Sequence, residues 1–338
     1  MSFLKKILQP QKTPVLFPHL RRPTEWKTYK CRFALLGPTG SGKTTVADLI
    51  LLTMQTMSQR EDTFTCRVLE GTSDIEEGTS LLRIGHFPNK TLPYQSSVIE
   101  AGFLLQFTNF WGTKRLHVPV ADVAGEDIES MIKHKEGYAP SVEQYNQSLK
   151  LVQDIRDADG FIMTLPASQV LMHHRELQID RVTGDLPIDP DVNLKRILSA
   201  IIDYKEESHG KPIKAIACVI TKWDLIMPYA AKWGMDIQEP TGLGLQNFMN
   251  ICFPSTSMAL KSSHVKNIQF FPSFVQTEID SHTGKETIWG KHPQTGKLDN
   301  SPRIKVKPPS QWLTYGRVPE YSASPYRDLI NFLKTFAA

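Results

Sequence analysis

The sequence predicts an α/β fold with a mostly parallel central sheet flanked by helices. Two observations lead to this prediction. From residue 30 onward, short runs of apolar and β-branched residues alternate with longer tracts whose apolar residues recur at helical spacing. One of the short runs is followed at once by a glycine-rich turn and a helical tract. Such alternation is typical of a parallel sheet whose connections are helices.

The first part of the chain predicts one strand-helix unit and one hairpin. Residues 31–36 are predicted as a strand and residues 44 to about 57 as the helix that follows it. Two further strands, at 98–107 and 115–120, flank a turn at 109–113 and are expected to pair antiparallel.

The second part predicts further alternating helices and strands. In order, these are a helical tract around 141–156, a strand at 160–165, a helix at 192–205, a strand at 213–220, a helix at about 243–260, a strand at 267–275 and an apolar closing helix at 326–336. No internal repeat interrupts this order.

The chain is interpreted as one enlarged domain at 30–338 that follows an N-terminal arm at 1–29. The arm is rich in proline, which blocks regular structure after a possible short helix at its start. That helix allows a weak contact with a membrane surface, but docking on the chain's own domain is favoured because so short a helix binds lipid weakly. Two insertions are predicted, at about 168–191 and 279–322, where prolines and turn residues cluster.

The composition of the 338 residues is that of an ordinary globular protein, with 40% hydrophobic and 22% charged residues. The net charge of +4 comes from scattered residues, so direct nucleic-acid binding is not expected. No run approaches the roughly 18 apolar residues that span a bilayer. The four cysteines stand far apart, which favours reduced, buried thiols over a zinc site or disulfides. A cytoplasmic protein is expected.

The strongest motif is Gly37-Pro-Thr-Gly-Ser-Gly42-Lys43-Thr44, which matches GxxxxGK[ST] between a predicted strand and a predicted helix. Its glycines allow backbone N–H groups to converge on phosphates, and the helix N-terminus adds the positive end of its dipole. Lys43 would neutralise the β- and γ-phosphates, and the Thr44 hydroxyl would bind Mg²⁺.

A second phosphate-sensing element is predicted at Asp122-Val-Ala-Gly125, after the strand at 115–120. Asp122 supplies a carboxylate for the magnesium shell, and Gly125 supplies an N–H for the γ-phosphate.

Base recognition is predicted at Thr221-Lys222-Trp223-Asp224, directly after the strand at 213–220. The carboxylate of Asp224 can accept from N1–H and from the 2-amino group of guanine, whereas adenine offers an unprotonated N1 there. The stem of Lys222 can lie along the base plane. The pattern therefore favours GTP or GDP over adenine nucleotides.

These three motifs resemble the G1, G3 and G4 motifs of Ras-like, translation-factor-class P-loop GTPases, and the likeness covers 30–275 and the closing helix. The resemblance implies a Ras-like G domain of the P-loop NTPase fold, with Thr221 similar to the Asn or Thr that opens the family's NKxD motif. More narrowly, Gly125-Glu126, the insertions and the closing helix resemble bacterial GTPases found singly or as double-GTPase components of conflict systems.

Two family elements are placed with alternatives. The switch I threonine, a further Mg²⁺ ligand, is predicted at Thr91, with Ser96 and Ser97 as rivals and an ordinary loop threonine nearly as acceptable. The G5 loop is predicted at Ser273, although the surrounding residues lack the family's small-residue and lysine pattern.

Glu126 stands where Ras-like members carry the glutamine that orients the attacking water. A carboxylate could orient water or act as a base, but it adds negative charge beside the γ-phosphate. Slow intrinsic hydrolysis is therefore expected.

The predicted sites can be stated as three sets. The catalytic residues are Lys43, Gly125 and Glu126. The metal ligands are Thr44, Thr91 and Asp122. The nucleotide-binding residues are Gly37, Thr39, Gly40, Ser41, Gly42, Lys43, Thr44, Thr45, Thr91, Asp122, Gly125, Thr221, Lys222, Asp224 and Ser273.

The predicted function is a GTP-hydrolysing molecular switch that uses Mg²⁺ and acts on an unidentified protein partner. A GTP-binding scaffold subunit that has lost hydrolysis is the first alternative. A P-loop kinase is the second, and Thr221–Asp224 argues against it.

Overall fold

The structure is a computed structural model that describes residues 31–38, 40–60, 64–68, 73–88, 102–109, 112–119, 132, 152–153, 155–167, 189–207, 212–230, 242–308 and 317–336. Its centre is a four-stranded, all-parallel sheet flanked by helices, which confirms the predicted α/β class.

The helices are α1 Lys43–Arg60, α2 Ser73–Ile84, α3 Pro190–Glu207, α4 Trp223–Ala230, α5 Gly242–Cys252, α6 Pro254–Ser262 and α7 Ala323–Thr335. The strands are β1 Phe33–Leu36, β2 Phe64–Val68, β3 Gly102–Asn109, β4 Gly112–Pro119, β5 Gly160–Pro166, β6 Ala215–Thr221, β7 Asn267–Pro272, β8 Ile288–Lys291, β9 Leu298–Pro302, β10 Val306–Lys307 and β11 Val318–Pro319. Of the helical tract predicted at 141–156, residues 152–153 and 155–156 are described, and they are helical.

The central sheet has the strand order β1-β5-β6-β7. Every residue of β1, β5 and β6 is buried, since helices cover both faces of the sheet. The two faces separate by the alternation of side chains along a strand. Phe33 and Leu35 belong to the core layer that contains α1 and α7, whereas Ala34 and Leu36 belong to the layer that contains α3, α4, α5 and α6.

A second sheet has the order β2-β3-β4 and is antiparallel. β3 and β4 form the predicted hairpin, with Asn109 opposite Gly112 at its turn. β4 also lies against β1, which places this sheet beside the central one.

The single helix predicted at about 243–260 is wrong, because the structure has two helices there. α5 ends at Cys252 and α6 begins at Pro254. Proline cannot donate a backbone hydrogen bond to the preceding turn, so it is tolerated at the first turn of a new helix and not inside a continuous one.

The tract between β7 and α7 contains two small β units. β8 and β9 pair as an antiparallel hairpin, and β10 pairs with β11. The hairpin packs against the end of α2, where the Gly85 carbonyl accepts from Trp289 Nε1 at 3.0 Å and from the backbone N–H of Ile304 at 2.7 Å.

Cys31, Cys218 and Cys252 are buried cysteines outside any disulfide, as the sequence predicts for them. Burial raises the pKa of both Cys218 and Cys252 to about 12, so these two thiols stay protonated at neutral pH. Within the described residues, the helices are each too short or too polar to cross a lipid bilayer.

Candidate functional site

The carboxyl ends of β1, β5, β6 and β7 lie at one edge of the central sheet, because the four strands are parallel. The predicted site residues that the structure describes lie at or just after the carboxyl ends of β1, β6 and β7. Segments distant in sequence are therefore brought to the edge where ligands of open α/β sheets bind.

The loop from β1 to α1 depends on glycine conformations. Gly40 and Gly42 have φ angles of +71° and +81°, in the left-handed region that other residues rarely adopt. The turn is closed by the backbone N–H of Ser41, which donates to the Pro38 carbonyl at 3.2 Å. α1 then begins with no acidic residue in its first turn, so this turn adds no negative charge of its own at the positive end of the helix dipole.

The Lys43 side chain folds back over this loop. It is 7% exposed, and its Nζ donates to the carbonyl oxygens of Gly37 at 3.0 Å and Pro38 at 3.1 Å. Thr44 and Thr45 follow in the first turn of α1 and are half-buried. The loop therefore holds an ammonium group, a helix N-terminus and two hydroxyl-bearing residues together, a donor set suited to an anion.

Buried hydroxyl groups tie the loop to the ends of β5 and β6. Ser41 Oγ lies 2.6 Å from Oγ1 of Thr164 on β5. The hydroxyl of Thr221, the last residue of β6, donates to the Ser41 carbonyl at 2.8 Å. A Cβ atom at Gly37 would lie 2.0 Å from Thr164 Oγ1, so this position has room only for glycine. The loop is thus fixed in place by two neighbouring strands.

Thr164 is a site residue that the sequence reasoning missed. It lies at the centre of this network, and its hydroxyl also donates to the Leu36 carbonyl at 3.3 Å. The available signal was a hydroxyl-bearing residue within the apolar run Gly160–Pro166. Such residues are common in buried strands, so the signal alone could not distinguish it from packing.

The segment after β6 turns sharply at Lys222, an exposed residue with a φ of +56°. The next backbone N–H, of Trp223, donates to the Ser273 carbonyl at 3.1 Å, which links this turn to the end of β7. The strained residue therefore directs the chain from β6 into α4.

Asp224 lies in the first turn of α4 and is half-buried. Burial raises the pKa of this carboxyl above its ordinary value, and the negative charge of Glu286 contributes in the same direction. A half-buried carboxylate of this kind gains by accepting hydrogen bonds from a ligand that replaces its lost water.

Ser273 follows β7 and is 4% exposed. Its hydroxyl lies 2.6 Å from the hydroxyl of Tyr326 on α7, and its backbone N–H donates to the Ile220 carbonyl at 2.8 Å. Its side chain thus connects β7 to the closing helix, and its carbonyl supports the turn at Trp223.

Five predicted site residues lie outside the described residues. They are Thr39, Thr91, Asp122, Gly125 and Glu126. The described part of the site comes from the β1–α1 loop, Thr221–Asp224 and Ser273.

A scan against protein-family models and a search of curated proteins both returned no match to this chain.

Proposed function

We propose that this chain is a guanine-nucleotide-binding switch that binds GTP with Mg²⁺ and hydrolyses it to GDP to regulate a partner protein assembly. In this proposal the chain is a Ras-like P-loop GTPase, of the kind found in bacterial conflict systems. The Ras-like G-domain fold is part of the same proposal, which is compatible with the parallel sheet described above.

One observation carries the proposal. The Lys43 loop and the Thr221–Asp224 segment lie at the same edge of the sheet, joined by the 2.8 Å hydrogen bond from Thr221 to Ser41. A phosphate-suited loop and a base-suited carboxylate are therefore connected through a buried contact, as a nucleotide that spans both would require.

At the phosphate end, the chain's own groups suit an anion. Lys43 donates to the loop carbonyls at 3.0 and 3.1 Å, and a phosphate would offer its ammonium group charged acceptors in their place. The backbone N–H groups at the start of α1 would add further donors.

At the base end, Asp224 would accept the N1–H and 2-amino hydrogens of guanine. The Thr221 hydroxyl donates its hydrogen bond to the Ser41 carbonyl. In this proposal the role of Thr221 is therefore to hold the β1–α1 loop in register with the base-binding segment. Lys222 is exposed, which leaves its aliphatic stem accessible to the face of a base.

In this proposal Thr44, in the first turn of α1, would supply one oxygen ligand to Mg²⁺. Thr91 and Asp122 complete the set in the proposal. A bound Mg²⁺ would neutralise charge on the β- and γ-phosphates.

Glu126 is the reason to expect slow turnover. A carboxylate near the γ-phosphate would repel the negative charge of the phosphate, whereas a neutral glutamine would not. An activating arginine from a partner would therefore be needed for fast hydrolysis. The same residue favours the second candidate, a GTP-binding scaffold that does not hydrolyse.

The deciding experiment is titration of the purified chain with GTP, GDP, ATP and ADP in Mg²⁺, followed by phosphate release over hours. We expect guanine preference with slow release. Guanine preference without release would favour the scaffold, and adenine preference would refute the assignment of Asp224. A Lys43→Ala variant should lose nucleotide affinity, whereas the control Lys261→Ala, in an exposed position on α6, should retain it.

A further inference from the structure

A second group of polar side chains lies outside the strand-edge site. His86 follows α2, while His292 and Asp299 belong to the β8–β9 hairpin. One potential ligand atom from each of these three side chains lies within 4.8 Å of the other two. Two imidazoles and a carboxylate from separate parts of the chain thus converge on one point.

The contacts of His86 orient its ring. Its Nδ1 hydrogen-bonds to the Phe87 carbonyl, which can only accept, so Nδ1 carries the proton. Its Nε2 lies 2.5 Å from Oδ2 of Asp299 and 3.3 Å from the Ser301 hydroxyl. A neutral ring would therefore direct its Nε2 lone pair at a carboxylate. With an ion bound, Nε2 and Oδ2 would both face the cation and would move apart from their present 2.5 Å.

The surroundings of these side chains match those of metal ligands. A ligating histidine commonly donates its other ring N–H to a backbone carbonyl, as His86 does to Phe87. Asp299 is oriented in a similar way, since its Oδ1 accepts the backbone N–H of Ser301 at 2.8 Å and leaves Oδ2 for a second partner. His86 is also 4% exposed, so its ring is held in a fixed orientation by packing.

The hairpin that carries two of the three residues is fixed to the end of α2. Trp289 donates to the Gly85 carbonyl at 3.0 Å, and the Arg303 guanidinium lies 4.7 Å from the centre of the Trp289 ring. Gly85 has a φ of +91°, and a Cβ atom there would lie 2.9 Å from the Ile304 carbonyl oxygen. The backbones on both sides of the cluster are therefore positioned independently of any ion.

We propose that His86, His292 and Asp299 form a binding site for a divalent transition-metal ion of the zinc class. Two imidazoles with one carboxylate suit zinc, whereas magnesium and calcium prefer oxygen ligands alone. Three protein ligands leave a fourth position for water. The ion would join the hairpin to the end of α2 and replace the direct contact of His86 with Asp299.

Binding requires a small movement of His292. Its Nδ1 accepts long hydrogen bonds from the backbone N–H groups of Gln294 at 3.2 Å and Thr295 at 3.3 Å. A tetrahedral zinc ion needs ligand atoms about 3.3 Å apart, so the ring must turn toward the cluster and exchange these contacts. Because both are long, their loss is a small cost beside the formation of a zinc–nitrogen bond.

The test uses the full chain after treatment with EDTA and removal of nucleotide. Cobalt(II) is added as a spectroscopic probe, and zinc affinity is measured by competition with a chromogenic chelator. The variants are His292→Gln and Asp299→Asn, both at half-buried positions, and the control is His282→Gln, an exposed histidine in a neighbouring turn. Circular dichroism confirms that each variant is folded.

We expect stoichiometric binding with the visible absorption of tetrahedral cobalt, and a zinc-induced rise in Tm. Each ligand variant should bind zinc at least about tenfold more weakly, and the control should bind as the parent does. Absence of stoichiometric binding, or a zinc affinity in both ligand variants equal to that of the parent, would show that the cluster is only a histidine–aspartate ion pair. If Asp299→Asn does not fold, His292→Gln alone decides. None of these outcomes depends on nucleotide binding.

Discussion

Replacement of Thr221 by valine keeps the shape of the side chain and removes the hydroxyl that donates to the Ser41 carbonyl at 2.8 Å. Thr221 is 5% exposed and Ser41 is fully buried, so water cannot easily replace the lost donor. A buried acceptor left without its partner costs about 1–3 kcal/mol. Because the acceptor belongs to the β1–α1 loop, this cost falls on the loop conformation that would bind phosphate.

The expected result is a weaker affinity for GDP by roughly 5- to 150-fold, which is that cost expressed as an equilibrium constant. The assay is titration of a fluorescent GDP analogue into the parent chain, Thr221→Val and a control. Thr335→Val serves as the control, since Thr335 is exposed at the end of α7. A GDP affinity of Thr221→Val equal to that of the parent would refute the claim that this hydroxyl holds the loop. Failure of the parent itself to bind GDP would instead refute the proposed function.

Three further predictions concern other parts of the site and the core. Guanine-nucleotide affinity should fall on acidification, since protonation of Asp224 removes a hydrogen-bond acceptor for the base. Because burial raises the pKa of Asp224, this fall should begin at a higher pH than an exposed aspartate would give. Nucleotide titrations between neutral pH and about pH 5 would show this pH dependence in the parent and its absence in Asp224→Asn. At neutral pH the same variant should bind GTP at least about tenfold more weakly than the parent does. Gly37→Ala should abolish nucleotide binding, because its Cβ would lie 2.0 Å from Thr164 Oγ1, and the added change Thr164→Ala should restore part of the affinity. Gly78→Ala should lower stability by about 1–3 kcal/mol, since its Cβ would lie 2.3 Å from Oδ2 of the fully buried Asp48; an unchanged Tm would contradict this packing argument.

The sheet strands were predictable where burial is complete. β1, β5 and β6 are apolar runs of strand length, and each was placed within two residues of its observed bounds. β2 and α2 were not predicted, although they occupy Phe64–Val68 and Ser73–Ile84. α2 contains Gly78, which lowers intrinsic helix propensity, and its position depends on close packing against α1 that a local pattern does not contain.

Two parts of the candidate site were recognisable in the sequence, because a motif specifies several residue types at once. The loop around Lys43 and the segment ending at Asp224 were found in this way, and both lie at the predicted edge of the sheet. Thr164 and the cluster around His86 were not found, because their partners are more than 100 positions away in the sequence. Contacts of that kind appear only after the chain has folded.

The parallel pairing of β1 with β5 affects how the protein folds during synthesis. Ser41 and Thr164, which lock the loop in place, are separated by 123 positions, and closing a chain segment of that length costs about 4 kcal/mol of entropy. Phe33 in β1 also packs against Phe336, with ring centres 5.9 Å apart. The first strand of the sheet therefore leaves the ribosome long before its last partner exists. Until then its apolar surface is open to chaperones and to other nascent chains.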